Sequence, residues 1–451
     1  MSKRARDVII VGFALFAIFF GAGNLIFPVY LGLNAGDNWF SSMVGFILTD
    51  PFLAILVVII TAKLGGQAED IGRRVGPNFA KALGIIAILS IATFVAVPRT
   101  AATVHEIAIQ PNFPNVSPVV TSLVFFAITL YFVINEGKVI DIIGNILTPI
   151  LIATLAIFIV WVIINPPGPT VPSQIESSDF LVGFTEGYQT MDALGANLMA
   201  GIVVTDLVRR GYTDKEKRYK NTIGVGIIAF ILLSLVYGGL VYVGARFSAI
   251  YPVDMSRTQL LIASFSYIFG DFGAFLISVV VTLACLTTSV GLTATCGDYF
   301  QTISKNKLKY RPIVITSVTI GLLISLLSVD EIVAFTGPLL DLVYPVVMAL
   351  ALFSLFNEYL KYDLIFVGGV AGAFAVALIE TSLGLLGMDA ALESWTAFVP
   401  LAEVGFGWLI PALIGGLIGG LLGHFFDLGK RLEDHDNQRA CLLYTSPSPR
   451  D

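Results

Sequence analysis

Several side chains of this 451-residue chain that could do chemistry lie inside apolar runs, where water cannot serve them. In "FGAGNLIFP", Phe20 to Pro28, two glycines, an asparagine and a proline interrupt such a run. A glycine costs a helix about 1 kcal/mol relative to alanine. Pro28 has no amide donor and crowds the carbonyl four residues back, at Asn24. The backbone from Gly21 to Asn24 is therefore primed to unwind. Freed amides at the start of the following half-helix suit an anion, and freed carbonyls suit a cation. The competing reading is a close helix contact through the small residues Gly21, Ala22 and Gly23. Asn24 and Pro28 on the same turns weigh against it.

A second interruption, "FLVGFTEGYQTMDALGANLMAGIVV", holds Glu186, Gly187, Tyr188, Gln189, Thr190 and Asp192 near its middle. A central aspartate costs about 2.5–3.5 kcal/mol on the insertion scale, so such carboxylates normally face a cavity or a partner. A third cluster, "TLACLTTSVGLTATCGD", sets Thr287, Thr288 and Ser289 in an apolar run. Hydroxyls there commonly bond their own helix carbonyls. Beside an unwound helix they also offer the neutral oxygens that a monovalent cation needs as it sheds water. Asp50, before a proline in "ILTDPFL", and Asp341, between two prolines in "GPLLDLVYP", are further candidates for handling an ion or proton. Asp206 and Asp298 lie near span ends, where loop cations are expected to meet them.

The elements that must carry these residues follow from composition. The chain is 56% hydrophobic and 13% charged, against roughly 25% charged in soluble domains. Its apolar runs are about 20 residues long, the length a helix needs to cross a bilayer. The fold class is an all-α integral membrane protein; the alternation a barrel needs is missing. The first run is too long for a signal-peptide core and lacks a small-residue cleavage site. Cys285, Cys296 and Cys441 form no metal, redox or disulfide pattern. The final "CLLYTSPSPRD", residues 441–451, resembles a translated sequencing-adapter tail and is set aside.

Hydropathy predicts twelve spans, near 8–31, 40–62, 79–99, 117–134, 139–164, 180–208, 221–246, 271–301, 312–329, 332–356, 364–386 and 396–426. Residues 252–268 read as a surface helix. With both termini cytoplasmic, 22 Lys and Arg fall inside and three, Arg99, Arg246 and Arg257, fall outside. That bias is the positive-inside rule. The interruptions fall in spans 1 and 6. Matched broken helices five spans apart point to an inverted-repeat transporter.

The stretches "FALFAIFFGAGNLIFPVYLG", "EGYQTMDALGA" and "CLTTSVGLT" resemble the bacterial branched-chain amino acid:cation symporter family, over essentially the whole chain to about residue 430. The resemblance implies the LeuT-type fold of the APC superfamily: two inverted five-helix repeats, 1–165 and 180–356, plus two helices in 364–430. It implies uptake of leucine, isoleucine and valine across the bacterial inner membrane by alternating access, driven by sodium or protons. By that resemblance, amides at Gly21, Ala22, Gly23 and Asn24 would receive the substrate carboxylate. Carbonyls ending the half-helices of spans 1 and 6 would receive its ammonium. Sodium would lie between carbonyls of Ala17 and Phe20 and hydroxyls of Thr287 and Thr288, with Ser289 the alternate if the register slips by one. Tyr188, Thr190 and Asp192 match the family motif without individual roles.

Sodium is thus the expected coupling ion, with no other cofactor. The expected partners are the amino acid and the lipid bilayer, with no nucleic acid and the oligomeric state open. The rival is proton coupling, with Asp50, Glu186 or Asp192 as carrier and Asp341 as a further candidate. A membrane-embedded enzyme is the other class. The chain has no H-E-x-x-H, G-x-S-x-G or P-loop motif, and His105, His424 and His435 are scattered.

Overall fold

The structure, a computed structural model, describes residues 2–21, 23–66, 69–134, 139–402 and 405–426, with the backbone alone for 139–151. Ala22, Lys138, Lys430, Arg431, His435, Arg439, Cys441 and the tail that follows lie outside the described residues.

The first expected span is two helices, α1 (Lys3–Phe19) and α2 (Gly23–Ala35). The second is α3 (Trp39–Ile47) and α4 (Leu53–Leu64), joined by a π-helical turn at Leu48–Phe52. Pro51, within that turn, has no amide to keep the regular ladder. The third runs from α5 (Pro77–Leu89) through π-turns at Ser90–Phe94 and His105–Ile109 that flank α6 (Ala96–Val104). Next come α7 (Pro118–Ile134) and α8 (Val139–Ile164). The sixth is again two helices, α9 (Asp179–Tyr188) and α10 (Asp192–Arg209). Then follow α11 (Lys215–Phe247), α12 (Arg257–Phe269), α13 (Asp271–Ile303), α14 (Tyr310–Ile324) and α15 (Val329–Leu355). The described chain closes with α16 (Leu364–Leu385), α17 (Asp389–Phe398) and α18 (Leu409–Phe426).

Among the described residues, seven helical stretches are long and apolar enough to cross a bilayer, or eight if α9 and α10 form one bent span. This is a multi-pass membrane protein. The stretches 118–134, 152–164 and 310–324 are apolar but shorter. The expected surface helix is α12.

Two expectations need correction. The third span does not end at Arg99; it continues to Ile109, so Arg99 is a buried mid-span residue and not a loop cation. Pro98 does not end the span: at the third position of α6 it lies within the first turn, where a missing amide costs nothing. The last expected span, 396–426, is divided: α17 ends at Phe398, and the crossing helix α18 starts at Leu409.

Backbone-close contacts set the frame. α2 lies on α11 through Gly32 and Gly244, where an added Cβ would strike the partner's Val241 and Val29 carbonyls. α3 lies on α9 the same way through Gly45 and Gly183. Small residues at such crossings let membrane helices approach closely. The second half of the first span and the first half of the sixth are thus each anchored to a neighbour.

One side of the molecule carries the N-terminus. There Asp7 of α1 meets Arg210 at 3.4 Å and Tyr212 at 3.0 Å, just beyond α10. On the far side, Asp37 after α2 accepts from the Thr170 hydroxyl, and its amide donates to the Val171 carbonyl at 2.8 Å.

Candidate functional site

Both breaks fall where the sequence interrupts its apolar runs. α1 stops at Phe19, and Phe20 is extended (φ −78°, ψ 90°). Asn24 is 2% exposed, and its Oδ1 accepts from the Gly21 amide at 3.3 Å. At the second break, Met191 holds a left-handed conformation (φ 65°, ψ 11°), and α9 and α10 are bent by 46°. A left-handed non-glycine residue stores about 1–3 kcal/mol and tends to cluster at functional sites.

One side chain links the two breaks. Asn24 Nδ2 donates to Asp192 Oδ2 at 2.8 Å and also to the hydroxyl of Tyr237 on α11. Asp192 opens α10, where a carboxylate suits the positive helix end. Asp50, in the π-turn of the second span, is fully buried. Neither of its carboxyl oxygens has a hydrogen-bond partner, and the polar groups it faces include the Asp192 carboxyl and the Thr190 hydroxyl.

Arg99 is the site residue that the sequence reading missed. It is 3% exposed, and its Nη1 donates to the Gln189 carbonyl at 2.7 Å, the residue that caps α9. Its guanidinium lies 4.9 Å from the centre of the Phe27 ring. Gly23 leaves it room, since a Cβ there would sit 2.6 Å from Nη2. Thr288 of α13 flanks the first break, 3.8 Å from where a Cβ of Gly21 would be.

These groups surround a cavity of about 50 Å³. Gly21, Gly23, Asn24, Arg99, Thr190, Asp192 and Thr288 line its polar part. Ile18, Ile91, Met199 and Leu292 line its apolar part. Ile18 belongs to the half of the first span that starts at the N-terminus, and Met199 to the half of the sixth that ends near Arg210. The cavity therefore lies on the N-terminal side of the breaks.

Other sequence candidates lie apart from it. The Thr287 hydroxyl bonds its own helix at the Leu283 carbonyl, 2.8 Å away. Ser289 is buried toward α7, 3.3 Å from the Thr129 hydroxyl. Of the three hydroxyl residues in the cluster, Thr288 is the one that lines the cavity. The Phe20 ring stacks between Phe16 and Tyr237, and Ala17 lies one turn below the break. Tyr188 is buried against Tyr344 and the Met348 sulfur. Glu186 is paired with Arg257 of α12 at 3.0 Å. Asp341 lies exposed on α15, facing Glu380 of α16. Asp206 pairs with Arg210 at 3.0 Å, a loop cation as expected, and Asp298 has a polar partner.

Comparison with known proteins agrees with this architecture. Residues 4–426 match the family described as branched-chain amino acid transport protein. The branched-chain amino acid permease BraB of Bacillus subtilis is 34% identical, covering 96% of this chain and 99% of its own. The permease BrnQ of Escherichia coli K12 is 32% identical, over 91% and 94%. Among solved structures, inward-facing Mhp1 superposes with a TM-score of 0.57 at 13% identity, over 97% of this chain and 95% of its own. MhsT in complex with L-phenylalanine gives 0.56 at 15% identity, over 82% and 98%. Both are LeuT-fold transporters, and this chain has that fold.

Proposed function

The chain belongs to the family of branched-chain amino acid transport proteins, and from that premise we propose that it imports leucine, isoleucine and valine by sodium-coupled symport. It does so from the bacterial inner membrane, with both termini in the cytoplasm. The observation that carries this reading is the break of the first span at Gly21, set against the Thr288 hydroxyl of α13. Unwound backbone beside hydroxyls is what transporters of this architecture use to hold a monovalent cation. Carbonyls of Ala17 and Phe20 with the Thr288 hydroxyl would take the sodium ion. The start of α2 at Gly23 and Asn24 would take the substrate.

The mechanism is alternating access. Sodium holds the unwound segment of the first span in the shape that receives the amino acid. Because both ligands share that backbone, each favours the other's binding by linkage. Helices of the first, second, sixth and seventh spans then rock against the rest. The cavity on the N-terminal side, with the far side closed over the breaks, supports assigning this arrangement to the release stage of the cycle.

Proton coupling is the second reading, and Asp50 favours it: a fully buried carboxyl without a hydrogen-bond donor is suited to carry a proton. The discriminating experiment is uptake of labelled leucine, isoleucine and valine into proteoliposomes under an imposed sodium or proton gradient. Sodium-driven uptake is expected. Sodium-independent uptake that follows the proton gradient overturns the sodium assignment.

A further inference from the structure

The site contains a buried cation that makes no ion pair among the described residues. Arg99 is 97% buried, and among the described residues no carboxylate lies within ion-pair distance of it. A guanidinium carries five N–H donors, and the Gln189 carbonyl takes one of them. A buried charge without its counter-ion is costly, and a partner of opposite sign relieves that cost. The guanidinium borders Gly23, the first residue of α2, and lines the same cavity. A helix start and a cation at one wall attract the same kind of group, a carboxylate.

Another part of the lining carries the opposite sign. Asp192 lines the cavity, and behind it the buried Asp50 carboxyl faces the Asp192 carboxyl. Asn24 supplies a hydrogen bond to one of the two Asp192 oxygens, Oδ2. The carbonyl end of α9, where the family resemblance would put the substrate ammonium, is already held by Arg99. An incoming ammonium thus meets a carboxylate more readily than that helix end.

We propose that Arg99 reads the carboxylate of the amino acid and Asp192 its ammonium, so that the zwitterion bridges the two broken helices. This rests on the amino acid transport reading above. It departs from that reading in using side-chain charges at both ends of the substrate.

The test is competition for labelled-leucine binding by purified full-length protein, using leucinamide, which lacks the carboxylate, and 4-methylpentanoate, which lacks the ammonium. In the unsubstituted protein both analogues should bind at least roughly 30-fold more weakly than leucine, the loss typical of one unpaired buried charge. Arg99→Gln should weaken leucine by a similar factor and bring leucine and leucinamide close to equal. Arg99→Lys should restore part of the preference. Asp192→Asn should collapse the preference over 4-methylpentanoate and leave that over leucinamide. An unchanged leucine-to-leucinamide ratio in Arg99→Gln overturns the proposal. So does leucinamide binding as tightly as leucine to the unsubstituted protein, a result that needs no variant to fold. If the unsubstituted protein binds none of leucine, isoleucine and valine, the transport reading itself fails, and the proposal with it.

Discussion

The two sides of the broken helices are closed by different means. On the far side, Arg257 of α12 pairs with Glu186 of α9 at 3.0 Å and with Asp330 of α15 at 2.7 Å. Its guanidinium also lies 4.3 Å from the centre of the Tyr30 ring of α2. Beside it, Glu106 at the end of the third span accepts from the Thr258 hydroxyl at 2.5 Å and the Val329 amide at 2.8 Å. Charge therefore ties four transmembrane segments to one surface helix. On the N-terminal side, the cavity is walled by Ile18, Ile91, Met199 and Leu292, and the ion pairs of Asp7 and Arg210 sit beyond it. A far side held by directional bonds opens only when several are broken together. An apolar wall can slide. The difference makes the far side the latched one and the N-terminal side the compliant one.

Five substitutions break or sharpen that contrast. The largest effect is expected at the meeting point of the two sides. Gly23→Leu would push a side chain into Arg99 and the Phe27 ring. Displacing the positioned groups should cut leucine uptake about 100-fold or more, with normal membrane insertion; near-normal uptake would show that the start of α2 is not at the site. Next, Arg257→Ala leaves Glu186 buried without its partner, a loss of about 2–5 kcal/mol. Hydrogen exchange of α12 amides should then accelerate at least roughly 10-fold, the response of a segment whose local opening has become easier. No acceleration would mean that packing, not charge, closes the far side.

Smaller effects are expected around α13. Thr288→Ala removes one oxygen beside the first break. The sodium concentration for half-maximal uptake should rise about 5- to 10-fold, the equivalent of one ordinary hydrogen-bonding contact. Thr287→Ala, whose hydroxyl bonds its own helix, should change it far less. Sodium dependence unaltered in both variants would remove α13 from the ion site. Smallest of all, Ser289→Ala should leave the sodium requirement within about twofold, since its hydroxyl meets Thr129 and not the break. A larger shift would mean that the alternate register is the correct one.

The first break was legible because glycine and proline act on the backbone locally, and their signature needs no knowledge of neighbours. The second was legible through the expense of its carboxylates, although the left-handed residue that turns the chain is Met191, a type with no turn preference. The choice among Thr287, Thr288 and Ser289 was not legible. Successive residues on a helix point about 100° apart, and packing against α7 decides which of them faces the break. Arg99 was hidden for another reason. Pro98 beside an arginine reads as the end of a span, while the π-turns that let the span run on leave no mark in composition. One signal was there: the residues after Arg99, "TAATVHEIAI", are apolar enough to stay in the bilayer. The apolar lining of the cavity is dispersed over four separated segments, so no local pattern could announce it.

The three ionisable groups at the breaks have an electrical consequence. Two buried carboxyl groups that face each other do not both ionise, so Asp50 and Asp192 hold one negative charge between them, and Arg99 balances it in the empty site. A zwitterion does not alter that sum, and one bound monovalent cation would add a charge. On the symport reading, the loaded carrier would cross the membrane field charged and the empty carrier would return neutral. A potential does about 2.3 kcal/mol of work per 100 mV on each elementary charge. Voltage would therefore govern the delivery step and leave the reset between cycles almost untouched.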